Sequence, residues 1–224
     1  MIIDKQFVNI EPDARNSWFS IPQKEKSRVF DMLVNFYSKP GDRILIPLLY
    51  SENYVYGCLS INREVSGYLI NDSKKSFIYT ANRQINSIDI KDSLKECSNS
   101  LDMYKYNMMY SDFPSLKLAS KLGIFSDNKD DLYDHVLSYV TNYYNNMAKR
   151  LVPGSYIIVN LQNIVKNQYS DVYPLVFDFM NRFSKNTDIV FKGEQIWVYT
   201  DKDNYNRRSE YNCMHRYALK FQKK

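Results

Sequence analysis

One stretch limits the fold of this chain more than any other: GDRILIPLLYSENYVYGCLSINREVSGYLIND, residues 41–72. Arg43 to Leu49 is an apolar run of strand length, Ser51 to about Asn62 has a helical pattern, and Val65 to Asn71 is a second strand. Strand, helix and strand in that order make a crossover unit, the building block of sheets with parallel strands. Its turn holds Tyr50, Ser51 and Glu52 and no glycine. A cofactor cradled there would meet side chains where it needs bare backbone.

The flanking sequence continues the alternation. Val29, Phe30, Leu33 and Phe36 recur at helical spacing and predict a helix over 24–37, which KPGD at 39–42 stops. A further helix is expected over 73–84, then a short strand in QINSIDIK. DMYKYNMMYS, residues 102–111, reads as a buried strand. Asp127 has the character of an N-cap, with Asp130 at the third position of the helix it opens. That helix carries Leu132, Val136, Tyr139, Val140, Tyr143, Met147 and Leu151 on one face. Tyr139 and Tyr143 are therefore expected in the core, whereas an exposed Tyr144 would add to a docking surface. VPG ends the helix and SYIIVNLQNI follows as a strand. Tyr173-Pro174 opens another helix with Pro174 in its first turn and Val176, Met180 and Phe183 as its apolar stripe. DIVFKGEQIWVYT and MHRYALKFQ close the chain as two strands around a polar loop at 201–212. The pattern predicts an α/β three-layer sandwich in one domain, 1–224, with 1–23 as an N-terminal extension packing on it.

Composition excludes several classes. With 224 residues, 44% of them hydrophobic, the chain can bury a sizeable core. It has no apolar run of about 18 residues for a membrane helix and no signal-peptide pattern at its start, so a cytoplasmic protein is expected. Cys58, Cys97 and Cys213 are far apart and read as reduced thiols, and His135 and His215 are too few for a histidine metal site. No metal is expected. The net charge of +5 permits contact with nucleic acid without requiring it. The bias gathers late, where Arg207, Arg208, His215, Arg216, Lys220, Lys223 and Lys224 face only Glu210. These residues read either as phosphate contacts or as a solvated terminal strand and tail. Lys24, Lys26 and Arg28, beside Trp18 and Phe19, read as a solvated helix face.

Several segments together resemble a family. They are NSWFSIP near the start, the 41–72 unit, YSDFPSL at 110–116, LVPGSYIIVNLQNI at 151–164, and FKGEQIWVYTD with MHRYALKFQKK at the end. In these the chain resembles the DNA methyltransferases that modify exocyclic amino groups, making N6-methyladenine or N4-methylcytosine. The resemblance covers most of the chain. It implies a Rossmann-like methyltransferase fold, with a mostly parallel sheet and an antiparallel C-terminal strand pair.

The segments that carry the family's chemistry depart from its pattern. Where the family has an acid, Pro, Phe and a Gly-x-Gly turn over S-adenosylmethionine, this chain has Ile46, Pro47, Leu48, Leu49, Tyr50, Ser51 and Glu52. Pro47 alone matches, and Tyr50 and Glu52 stand in the glycine places. Leu69 stands where a carboxylate would grip the ribose, and Asp72 is three residues too late. The catalytic tetrapeptide, a polar residue followed by Pro-Pro and an aromatic ring, reads Asp112-Phe113-Pro114-Ser115. Asp112 and the second proline are kept; the stacking ring has become Ser115, and stacking by Phe113 or Tyr110 would break the spacing to the acid.

The resemblance thus implies a catalytically inactive relative that lacks S-adenosylmethionine and serves as a non-catalytic subunit or as a module that binds protein or nucleic acid. The alternative is an active, divergent amino-methyltransferase that uses S-adenosylmethionine and Asp112. A third reading gives Glu52, Asp72 or Asp112 acid–base work in a reshaped cleft. A protein partner or larger complex is expected, DNA is open, and no membrane is implied. The Asn-, Lys- and Tyr-rich composition fits an AT-rich genome, such as that of a phage or another mobile element.

Overall fold

The computed structural model describes residues 16–22, 28–49, 51–69, 76–80, 83–88, 105–114, 116, 119, 124–165, 172–200 and 215–224. Its strands are β1 (Asn16–Pro22), β2 (Arg43–Leu49), β3 (Glu64–Leu69), β4 (Ser76–Thr80), β5 (Arg83–Ile88), β6 (Tyr106–Asp112), β7 (Leu151–Leu161), β8 (Ile164–Val165), β9 (Val172–Tyr173), β10 (Ile189–Thr200) and β11 (His215–Lys223). Its helices are α1 (Arg28–Tyr37), α2 (Asn53–Ser60), α3 (Lys129–Ala148) and α4 (Leu175–Phe183).

Nine strands form one sheet in the order β1-β10-β11-β7-β6-β2-β3-β4-β5, and β8 and β9 pair separately. β3, β2, β6 and β7 run parallel, so their carboxyl ends share one edge. β11 enters antiparallel between β7 and β10, and β1 lies parallel to β10 at the border. This is the expected α/β sandwich, with parallel strands at the centre of the sheet and a reversed strand pair at the C-terminal side.

Strand alternation divides the core between two faces. Leu45, Met109, Ile157, Val159, Leu219 and Phe221 pack with α3 and α4. Ile44, Ile46, Met108, Tyr110, Ile158 and Ala218 pack with α1 and α2. Helix α1 supplies Val29, Phe30, Leu33, Val34 and Tyr37 at three- and four-residue spacing. Its carboxyl end is tied by Arg63, which is buried and donates to the Ser38 hydroxyl at 3.1 Å and carbonyl at 2.9 Å. Gly67 lets β3 lie close on β2, because a Cβ there would stand 2.0 Å from the Ile46 carbonyl oxygen. Pro174, at the N-cap of α4, offers no capping side chain. Asn163 substitutes for it by accepting the Val176 N–H at 3.0 Å.

Several expectations need correction. The helix expected over 73–84 is the hairpin of β4 and β5, with Thr80 opposite Arg83. Asn128, not Asp127, is the N-cap of α3, accepting the Asp130 N–H at 2.8 Å. Leu151 and the VPG that follows belong to β7 rather than to the helix or a break. On α3 Tyr143 and Tyr144 are buried, so Tyr144 offers no docking surface, whereas Tyr139, expected in the core, is 37% exposed. In α4 the buried stripe is Leu175, Phe179 and Phe183, with Val176 and Met180 only flanking it.

Candidate functional site

The shared edge of β2, β3, β6 and β7 is where a fold of this kind presents chemistry, because loops and helix amino ends converge there. Of the expected site residues, Tyr50, Asp72, Ser115, Arg207 and Arg208 lie outside the described residues. Leu69 ends β3, paired with Leu49 of β2 and Phe77 of β4.

At the end of β2 the described strand residues are apolar and buried. Ile46 is 0% exposed and belongs to the core under α1 and α2. The Pro47 carbonyl accepts the Tyr143 hydroxyl at 3.2 Å. Glu52 is exposed at the N-cap of α2 and makes no side-chain cap. The Ser51 hydroxyl accepts the Asn53 N–H at 3.2 Å instead. Among the described glycines those with positive φ are Gly41, Gly154 and Gly193, none of them at this turn.

At the end of β6 a polar network survives. Asp112 is buried, and its carboxylate receives three side-chain donors. Asn160 of β7, directly opposite in register, donates its Nδ2 to Oδ1 at 2.6 Å. Tyr110, two residues back on the same face of β6, donates to Oδ1 at 3.2 Å. Tyr54, from α2, donates its hydroxyl to Oδ2. The Asp112 carbonyl accepts the Tyr144 hydroxyl at 3.2 Å, and Tyr144 and Ser111 hydroxyls share a 2.6 Å bond. Burial, and then the Asp112 charge, hold the Tyr110 hydroxyl well above its ordinary pKa; burial does the same for Tyr144. Both therefore remain protonated donors.

Aromatic packing closes the same place. The Tyr54 ring lies 4.4 Å from Phe30 of α1 and 6.0 Å from Tyr110, and Phe30 meets Tyr110 edge-on at 4.9 Å. Phe113 turns the other way. Its N–H donates to the Asn160 carbonyl at 2.8 Å and its ring meets Phe179 edge-on at 5.5 Å, within the α3–α4 core. Pro114 is buried behind it.

Sequence reasoning missed Tyr54, Asn160 and Tyr144 as members of this site. Asn160 carried a signal, an amide in the middle of the apolar run YIIVNL. Tyr54 carried none, since it lies on another element, 58 residues from Asp112.

Of the basic candidates the described residues are His215, Arg216, Lys220, Lys223 and Lys224, all on β11 or just after it. Lys220 is 3% exposed, its ammonium 5.6 Å from the Tyr37 ring, so this position serves the interior. Arg216 is half-buried opposite Trp197, and His215 opens β11. Lys223 pairs with Asp188 at 3.1 Å, and Lys224 donates to the Thr187 carbonyl at 2.5 Å. Cys58 is buried, and burial pushes its thiol up to about 12, which makes it unreactive. Among the described residues no three His, Cys, Asp or Glu side chains gather to hold a metal, and no helix is long and apolar enough to cross a membrane.

No family model matches the chain, and no curated protein is similar to it. Solved structures are similar in fold. A methyltransferase homologue from Pyrococcus horikoshii is 10% identical over 88% of this chain and 66% of its own, with a TM-score of 0.48. A Thermus thermophilus protein, provisionally a DNA modification methylase and solved with S-adenosyl-L-methionine, is 16% identical over 56% of this chain, with a TM-score of 0.41. The chain spans about half the length of that protein, 50%. A methyltransferase from Pyrococcus furiosus is 9% identical over 88% of this chain and 81% of its own, with a TM-score of 0.40. The likeness is one of fold.

Proposed function

We propose that the chain is a catalytically inactive methyltransferase-like protein that works as a non-catalytic subunit or binding module. The observation that carries this reading is the Asp112 carboxylate, engaged by Asn160, Tyr110 and Tyr54 at once. An acid that accepts hydrogen bonds from a target amino group needs vacant lone pairs and an approach path. Here three of the roughly four lone-pair positions are taken by the chain's own side chains, and the residue is buried. Phe113, a ring beside the acid that would stack on an extruded base, is spent on Phe179.

The residues at the β2 end do not fit S-adenosylmethionine. Ile46 offers a buried aliphatic group in place of a carboxylate, and the Pro47 carbonyl is already an acceptor for Tyr143. No step through the cofactor follows from this arrangement. A role in binding protein is supported by large side chains left on the surface: Phe125 at 70%, Tyr56 at 63% and Phe177 at 58% exposed. DNA remains a partner through phosphate charge, with Arg207, Arg208, His215 and Arg216 as its contacts.

Isothermal titration with S-adenosylmethionine, paired with tritiated methyl transfer to DNA, tests the reading. The expected result is no heat at micromolar protein and no label transferred. Micromolar binding with transfer that Asp112→Ala abolishes would establish the active alternative.

A further inference from the structure

We infer that Asp112 has become the anchor of an internal latch: through the Tyr54 hydroxyl, its carboxylate fastens the first turn of α2 across the carboxyl ends of β2 and β6. The need for a fastener lies in α2 itself. The helix has eight residues, a glycine at its centre and no side-chain cap from Glu52. Isolated helices of that length are unstable in water, and a central glycine weakens them further. Val55 and Cys58 bury its inner face, and the amino-terminal turn is held by the Ser51 hydroxyl and by Tyr54.

The other end of the bond is rigid. Asn160 and Tyr110 hold the carboxylate from β7 and β6, so Tyr54 meets an acceptor already fixed in orientation. Hydrogen bonds to an ionised acceptor are about twice as strong as neutral ones. The tilted ring contact of Tyr54 with Phe30 then carries the hold from β6 through α2 to α1. One carboxylate thereby joins two helices and two strands at the edge where a ligand would otherwise do so.

Amide hydrogen exchange on the whole chain, with no ligand added, tests the latch. Tyr54→Phe keeps the ring and removes only the bond. In that variant the N–H groups of Val55 and Tyr56, which bond the Glu52 carbonyl at 2.9 and 3.1 Å, should exchange about tenfold faster. Amides of α3 should be unchanged. Asp112→Asn, which turns an amide donor toward Asn160 or Tyr54, should give the same local acceleration, and the double variant should add nothing. Exchange within about twofold of the parent in Tyr54→Phe, or effects that multiply in the double variant, overturns the latch. The inference shares its carboxylate with the proposed function, yet the two fail separately. Cofactor binding with α2 still protected refutes the inactive reading alone. An unprotected α2 with no cofactor binding refutes the latch alone.

Discussion

The carboxyl ends of β2 and β6 are neighbours in the sheet, and they differ in chemistry. At β2 stands an aliphatic residue: Ile46 is 0% exposed and its surroundings are apolar. At β6 stands an acid: Asp112 is buried with three donors on its carboxylate. The first end keeps charge out of the core and the second compensates a buried carboxylate with internal hydrogen bonds. A carboxylate at a strand end can therefore serve the fold as fully as an apolar side chain does.

Three measurements put that contrast at risk. Ile46→Asp should have the largest effect, lowering stability by about 4 kcal/mol, because it buries a carboxylate without partners. Urea unfolding checks this, and a loss under about 1 kcal/mol would mean that the β2 end is open to water. Asp112→Ala should cost about 3 kcal/mol by stranding the Asn160, Tyr110 and Tyr54 donors together. A near-neutral result there would remove the distinction between the two ends. The smallest effect is alkaline. The Cys58 thiol is raised from 9.0 to about 12, and Tyr110 and Tyr144 are raised too. The unfolded chain releases these protons first, so the stabilisation is complete below about pH 9 and declines as pH rises toward about 12. The unfolding free energy from urea titration should fall between about pH 8 and pH 10.5, by on the order of 1 kcal/mol per group. Cys58→Ala should remove the part of that slope on the α2 side, and Tyr144→Phe the part at β6.

Most of the frame was legible because it is periodic. Parallel strands buried on both faces read as apolar runs, as in RILIPLL and SYIIVNL, and amphipathic helices read as stripes. The errors fall where a local rule had competitors. Residues 76–80, SFIYT, are β-branched and aromatic, so strand propensity and pairing with β3 overrode the helical reading of 73–84. Asp127 and Asn128 are both good caps, and extended backbone at Asn128 decided between them. Tyr139 was misplaced because the buried arc of α3 is centred elsewhere, running from Tyr133 and Leu137 through Val140 and Tyr144 to Ala148. The positions that differ from the resembled pattern could be found residue by residue. What packs around Asp112 could not, since the Tyr54–Asp112 contact depends on how α2 lies against β6.

The position of β11 between β7 and β10 bears on how the molecule is made. β1 sits at residues 16–22, yet its partner is β10, with Asn16 opposite Glu194, and β10 reaches the rest of the sheet only through β11. During synthesis β1 cannot find this partner until β10 has been made as far as Thr200. Such a distant closure is slow and leaves NSWFSIP exposed to wrong partners in the interval. Chaperone dependence in this protein should therefore concentrate on its earliest strand rather than on the helices translated after it.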